Sequence, residues 1–152
     1  MKTKSPRKPK LIQRTANTDD FEEIIELSKV CFPDSAPWTI KMLKSQHHIF
    51  PEGMQIIVYE KKIVGSATSL IINFDEYDED HTWSEICDNG FITNHDPDGD
   101  TLYGIEVMVH PDYQGLKIGR RLYELRGELC IQKNCSRIII GGRLPNFHNF
   151  SN

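Results

Sequence analysis

The run His110-Pro111-Asp112-Tyr113-Gln114-Gly115-Leu116-Lys117-Ile118-Gly119-Arg120-Arg121-Leu122 concentrates the residues of this sequence best suited to chemistry. It follows the apolar stretch Ile105 to Val109 and leads into a helical pattern, so a glycine-bearing loop opens onto a helix N-terminus. Main-chain N–H groups in such a loop can point at an anion, and the helix macrodipole adds roughly half a positive charge there. Lys117, Arg120 and Arg121 place three cations in the first turn, where the dipole favours acids by roughly 0.3–1 kcal/mol each. A docked polyphosphate accounts for that inversion. A dinucleotide-binding loop is excluded, because G-x-G-x-x-G is absent and the preceding elements form a hairpin. A Walker loop is excluded because no Gly-Lys-Ser/Thr occurs.

Other candidate chemistry is weaker. Asn94-x-Asp96-x-Asp98-Gly99 has the start of a calcium loop, but its twelfth position is Ile105 rather than glutamate and the chain then enters a strand. The four cysteines, Cys31, Cys87, Cys130 and Cys135, lack C-x-x-C spacing, and the six histidines lack metal spacing, so no metal site is expected. Trp38 and Trp83 read as packing residues.

The elements around the loop follow from periodicity. Leu11 to Thr15 reads as a short strand, and Asp19 with Glu22 has capping-box spacing before a helix carrying Phe21, Ile24, Ile25, Ser28 and Cys31. A second helix is predicted from Pro37 to about His47. Met54 to Tyr59 and Ile63 to Phe74, joined by Glu60-Lys61-Lys62, read as a hairpin. A helical turn at Trp83 to Cys87, a strand at Leu102 to Val109, a helix at Ile118 to Gln132 and a strand at Arg137 to Ile140 complete the order. Alternation along Leu102 to Val109 puts Glu106, Met108 and His110 on one face, and Ile105, Val107 and Val109 on the other. This order predicts an α/β fold with a mixed sheet.

Val107-x-Val109-x-Pro111-x-x-Gln114-Gly115-x-x-Ile118-Gly119 resembles the acetyl-CoA motif of GNAT N-acetyltransferases, whose core is Q/R-x-x-G-x-G/A. Gln114 and Gly119 match its first and last positions, and Lys117 stands at the middle glycine. The resemblance spans Leu11 to Phe150 and implies an acyl-CoA N-acyltransferase fold with a twisted sheet. It implies that the main chain of Val107, Met108 and Val109 binds pantetheine, and that Gln114, Gly115, Leu116, Lys117, Ile118, Gly119 and Arg120 hold phosphates. In such chemistry an amine attacks the thioester of acetyl-CoA within a ternary complex, which needs a base. Glu106, on the fourth strand beside the expected thioester, is the candidate, with Tyr103 as runner-up; no thiolate acid is assigned. The acidic insert together with Ile139-Ile140-Gly141-Gly142-Arg143-Leu144-Pro145-Asn146 resembles the GNAT domains that precede a carbon–nitrogen hydrolase, although nothing here resembles the hydrolase itself. In this family a helix bearing a catalytic tyrosine and further strands follow the fifth strand. Asn146 corresponds to the asparagine opening that region and joins the expected cofactor-binding residues. The C-terminal part of the fold is therefore expected to be missing, and the free sheet edge to meet a second copy or a fused domain.

Composition bounds the rest. The chain has 152 residues, 38% hydrophobic and 26% charged, enough for one core. Residues 1–10 hold five cations and two prolines without an apolar segment, reading as a flexible basic tail rather than an export signal, and residues 11–152 as the domain. No apolar run reaches the ~20 residues of a membrane span, so no membrane partner is expected. Scattered cysteines without an export signal suit a cytoplasmic protein. The basic tail reads as a solvated terminus, so no nucleic-acid partner is expected. The net charge is −4, yet Asp75 to Asp100 holds ten acids and no lysine or arginine, leaving +6 on the remainder. That asymmetry suits an anionic cofactor and a cationic amine acceptor, small molecule or peptide. The rival expectation is a non-catalytic CoA-sensing module that regulates a hydrolase.

Overall fold

The structure, a computed structural model, describes residues 10–143. The expected contributions of the basic tail and of Asn146 lie outside the described residues. Among the described residues, five strands form one sheet in the order β1 (Leu11–Thr15), β2 (Met54–Tyr59), β3 (Lys62–Ile72), β4 (Thr101–Val109) and β5 (Arg137–Arg143). Neighbours are antiparallel through β4, and β4 pairs with β5 in parallel. A parallel pair needs a crossover, which α4 (Ile118–Gln132) supplies. The β2–β3 turn takes left-handed backbone at Glu60 and Lys61, the geometry of a two-residue hairpin.

Each face of the sheet carries its own core. On one, Ile57, Val64, Ala67 and Val107 pack against Ile118 and Leu122 of α4. On the other, Ile56, Val58, Ile105 and Met108 join Phe21, Ile24 and Leu27 of α1 (Phe21–Cys31) and Leu43 of α2 (Ile40–Ile49). The alternation of Ile56, Ile57 and Val58 between the two cores is the two-residue strand period expressed as packing. A five-residue helix, α3 (Trp83–Cys87), lies in the acidic insert and is capped by Thr82, whose hydroxyl accepts the Glu85 N–H at 3.1 Å.

Four expectations need correction. The cap before α1 is Asn17 with Asp20, not Asp19 with Glu22. A 3-10 turn over Thr18–Asp20 precedes the helix, the Asp19 N–H donates to the Asn17 side chain, and the Asn17 N–H donates to Asp20. Helix α2 starts at Ile40, capped by Thr39; Trp38 is drawn into the core and its N–H donates to the Ser28 hydroxyl. Strand β5 runs three residues further than expected, to Arg143. The alternation along β4 breaks: Ser69 pairs with Gly104 and Thr68 with Glu106, so Ile105 is an extra residue, a β-bulge. Ile105 therefore shares a core with Met108, not with Val107.

Candidate functional site

Strand β4 delivers the chain to the loop. Its last three residues pair with β3 as Val107↔Ala67, Met108↔Ser66 and Val109↔Gly65, and among the described residues the register with β5 runs to Glu106↔Arg143. The side chains of Val107 and Met108 are committed to the two cores, so both could serve a ligand only through backbone. The His110 N–H donates to the Val64 carbonyl, and the buried His110 ring accepts the Asp112 N–H at Nδ1, 3.1 Å away, starting the turn. Tyr113 then stacks edge-on against both His110 and Tyr59, tying the loop to the hairpin.

Lys117 ends the loop with φ 57° and ψ 34°, in the left-handed region. That backbone is the physical reason for a glycine at this place in the motif, and lysine adopts it here at the cost of some strain. Helix α4 opens with no side-chain cap and no acid in its first turn. The Arg121 N–H donates to the Lys117 carbonyl at 3.2 Å, so the amides of Ile118, Gly119 and Arg120 precede that bond. Arg120 Nε lies 3.4 Å from Glu124, with both side chains largely exposed, and Gln114, Gly115, Lys117 and Arg121 are exposed as well. A Cβ on Gly115 would have nothing within 4 Å among the described residues, and one on Gly119 would meet only Val109 at 3.8 Å. Internal packing thus demands neither glycine, and an approaching ligand would find open backbone at both. The side chain of Ile118 is fully buried, and Leu116 packs partly into the same core, so both offer main chain alone.

Glu106 is 1% exposed. Its charge acts on the thiols of Cys31 and Cys87, each pushed up to about 12, chiefly by burial and further by Glu106. Cys31, at the end of α1, also donates from Sγ to the Val109 carbonyl at 3.4 Å. Because of the bulge, Tyr103 joins this face: Cys87 raises the Tyr103 phenol in turn, after the larger effect of burial. The Tyr103 hydroxyl is 2.7 Å from His81 Nε2, and His81 Nδ1 is 2.7 Å from the Asp78 carbonyl. A carbonyl only accepts, so Nδ1 carries the hydrogen, and in the neutral ring Nε2 accepts from Tyr103. Trp83 Nε1 donates to the Ile105 carbonyl at 3.0 Å. The acidic insert therefore borders Glu106 through Trp83 and Cys87.

The chemistry noted beyond the loop resolves into turns and packing. Asp96 accepts the Asp98 N–H at 3.0 Å, and no metal-ligand grouping occurs among the described residues. Trp38 and Trp83 pack together with ring centroids 6.0 Å apart. A cavity of about 200 Å³ beside His110, lined by Glu23, Glu26, Leu27, Val30, Lys62 and Ile63, was not anticipated. Nor was Arg126, which is 1% exposed beneath α4; its position four residues after Leu122 and three before Leu129 was the available signal. No described helix is long and apolar enough to cross a membrane.

Relatives agree with this architecture. The chain is 51% identical over 142 residues to the probable hydrolase YhcX of Bacillus subtilis (strain 168), covering 93% of the chain but 28% of YhcX. It is 37% identical over 142 residues to the uncharacterized N-acetyltransferase YkwB of the same organism, covering 91% of the chain and 63% of YkwB. The chain thus spans less than two thirds of either relative. Among solved structures, the loading GNATL domain of CurA from Lyngbya majuscula shares the fold with a TM-score of 0.77 at 20% identity, over 93% of this chain and 69% of that one. A model of the acetyltransferase (GNAT) family matches residues 21–149, and the chain belongs to that family.

Proposed function

We propose that this chain transfers an acetyl or other small acyl group from acetyl-CoA to a primary amine, by direct attack in a ternary complex. The observation that carries the reading is the uncapped, cation-bearing start of α4, with backbone lying open at Gly115 in the approaching loop and at Gly119 in the first turn. The amides of Ile118, Gly119 and Arg120, with Lys117 and Arg121, would hold the pyrophosphate. Gln114, Gly115 and Leu116 would shape the loop around it, and the main chain of Val107, Met108 and Val109 would hold pantetheine. Asn146 would act from beyond the fifth strand. Acetyl-CoA supplies the thioester. The Glu106 carboxylate takes the proton from the attacking amine, directly or through one water, as the C–N bond forms and the C–S bond breaks. The departing thiolate then takes up a proton.

The test is a titration of the folded chain with acetyl-CoA, followed by thiol release with a panel of primary amines. Binding to the native state alone raises the melting temperature by mass action. Glu106→Gln should retain acetyl-CoA affinity while turnover falls about 10²–10⁴-fold. An unchanged melting curve at millimolar acetyl-CoA would sink the cofactor assignment.

A second reading rests on one observation: the 51% identical relative is named a probable hydrolase, and the chain spans only 28% of it. Here the domain binds CoA without turnover and regulates a fused hydrolase. Binding without thiol release for any amine, joined to a CoA-dependent change in the hydrolase rate of the longer protein, would select this reading.

A further inference from the structure

The bulge in β4 is held by side chains from outside the sheet. With Ile105 inserted opposite the Thr68–Ser69 step, the register between β3 and β4 shifts immediately before Glu106. Arg126, from α4, lies against this irregularity. Its Nη2 donates to the carbonyls of Thr68 at 3.2 Å and Glu106 at 3.1 Å, and its Nε donates to the Ser69 hydroxyl at 2.8 Å. The guanidinium lies so close over Gly104 that a Cβ there would come within 2.5 Å of its central carbon. From the insert, Trp83 holds the adjoining Ile105 carbonyl. The carbonyls of Ile105 and Glu106 thus each accept a hydrogen bond from a side chain outside the sheet.

A charge at this depth is costly, and its neighbours on the inner face of α4 are Ile118, Leu122 and Leu129. A leucine would fill the same position if packing were the only demand. Burial lowers the Arg126 pKa only to about 10, so the group remains a cation at neutral pH and its bonds to carbonyls are charge-assisted.

We propose that Arg126 is a positioning residue for acyl transfer: by clamping the bulge it sets the main chain at Glu106 and aims the Glu106 carboxylate. The proposal rests on the acyl-transfer reading given above, but the clamp itself can be tested without turnover.

Arg126→Met, Arg126→Lys and Ser69→Ala are made in the full chain, and amide hydrogen exchange is followed at Ile105 to Val107. In Arg126→Met, exchange at these amides should rise by about tenfold or more while Ile56 to Val58 stay unchanged. Acetyl-CoA affinity by calorimetry should stay within about threefold, and turnover should fall about a hundredfold, the expected effect of a misaimed reacting group. Arg126→Lys should recover part of the turnover through its single ammonium. Ser69→Ala, which keeps the guanidinium, should give a smaller change in the same direction and carries the test if Arg126→Met does not fold. Unchanged exchange at the bulge in both Arg126→Met and Ser69→Ala would overturn the proposal. So would acceleration spread evenly over the sheet, which would make Arg126 a general stabiliser. A wild-type chain with no turnover would instead fail the acyl-transfer reading, and the exchange data would still decide the clamp.

Discussion

Ile118, in the first turn of α4, rests directly on Gly65 of β3: a Cβ on Gly65 would come within 2.5 Å of the Ile118 Cγ2 and 3.3 Å of Leu122 Cδ1. The start of the helix, which would face the cofactor phosphates, is thereby seated on the sheet by a contact that leaves no room for a methyl group. Gly65→Ala should therefore cost about 1–3 kcal/mol by overpacking and also weaken acetyl-CoA binding, because the helix start must shift. Thermal melts with and without acetyl-CoA measure both effects. An alanine variant with unchanged affinity would mean that the position of the helix start does not govern the cofactor.

Gly119 gives the complementary case. A Cβ there would meet only Val109 among the described residues, at 3.8 Å, and an acid in the first turn of a helix is favoured by the dipole. Gly119→Glu should leave the unliganded fold within about 0.5 kcal/mol of wild type, as for an ordinary surface change. It should nevertheless abolish measurable acetyl-CoA binding, since it sets a bulky anion where phosphate would approach. Calorimetry decides: equal heats for variant and wild type would remove the loop from the cofactor site.

Much of this was legible beforehand, and the failures have definite causes. Helix α4 and the Trp83 to Cys87 turn were read to the residue because periodic apolar positions and punctuating residues agree there. The cap of α1 was misplaced because Asn17 with Asp20 and Asp19 with Glu22 both satisfy the same three-residue spacing, and only the 3-10 turn between them chooses. The bulge was invisible because alternation assumes a strict period of two. Ile105 adds one residue without any compositional mark, and with it Tyr103 changes face to join Glu106. Arg126 was passed over because a charge ordinarily marks the solvent side of a helix; its acceptors come from β3 and β4, far away in sequence.

A pH dependence of stability follows from Asp20. Arg14 binds both carboxylate oxygens, at 2.7 and 3.0 Å, and the Asn17 N–H donates to it at 2.8 Å. The Arg14 hydrogen bonds above all, then that backbone N–H and the charge of Arg14, hold Asp20 below the usual carboxylate range against the opposing effect of burial. A depressed folded-state value adds stability that is present above the unfolded value, about 3.9, and is lost as pH falls through the folded one. Arg14 is 39% exposed, so solvent screens the pair. Asp20→Ala should cost about 1 kcal/mol at pH 7, the scale of a lost cap. Urea unfolding should show the gap between wild type and variant closing below about pH 4. A gap that stayed constant with pH would mean that the ion pair contributes nothing.

The last expectation concerns the acceptor. Asp75, Glu76, Asp78, Glu79 and Asp80 are all exposed, ahead of α3, whose Trp83 and Cys87 border Glu106. The insert is fastened at its far end: the Asp96 N–H donates to Ile71, and the Asp100 carbonyl accepts the Ser136 N–H. Neutralising the five exposed acids should therefore leave the fold intact. A cationic amine, such as a polyamine or a lysine-rich peptide, would be drawn toward this acidic rim, and its association would depend on ionic strength. With all five changed to their amides, the acceptor KM should rise several-fold at low salt. The difference should shrink as ionic strength passes about 0.1 M, where the screening length is about 10 Å. Acetyl-CoA affinity, which on the proposed reading would be set at the other end of β4, should not change. Acceptor kinetics identical to wild type at every salt concentration would reduce the insert to a solubilising loop and leave acceptor choice to the buried face around Tyr103, Cys87 and Glu106.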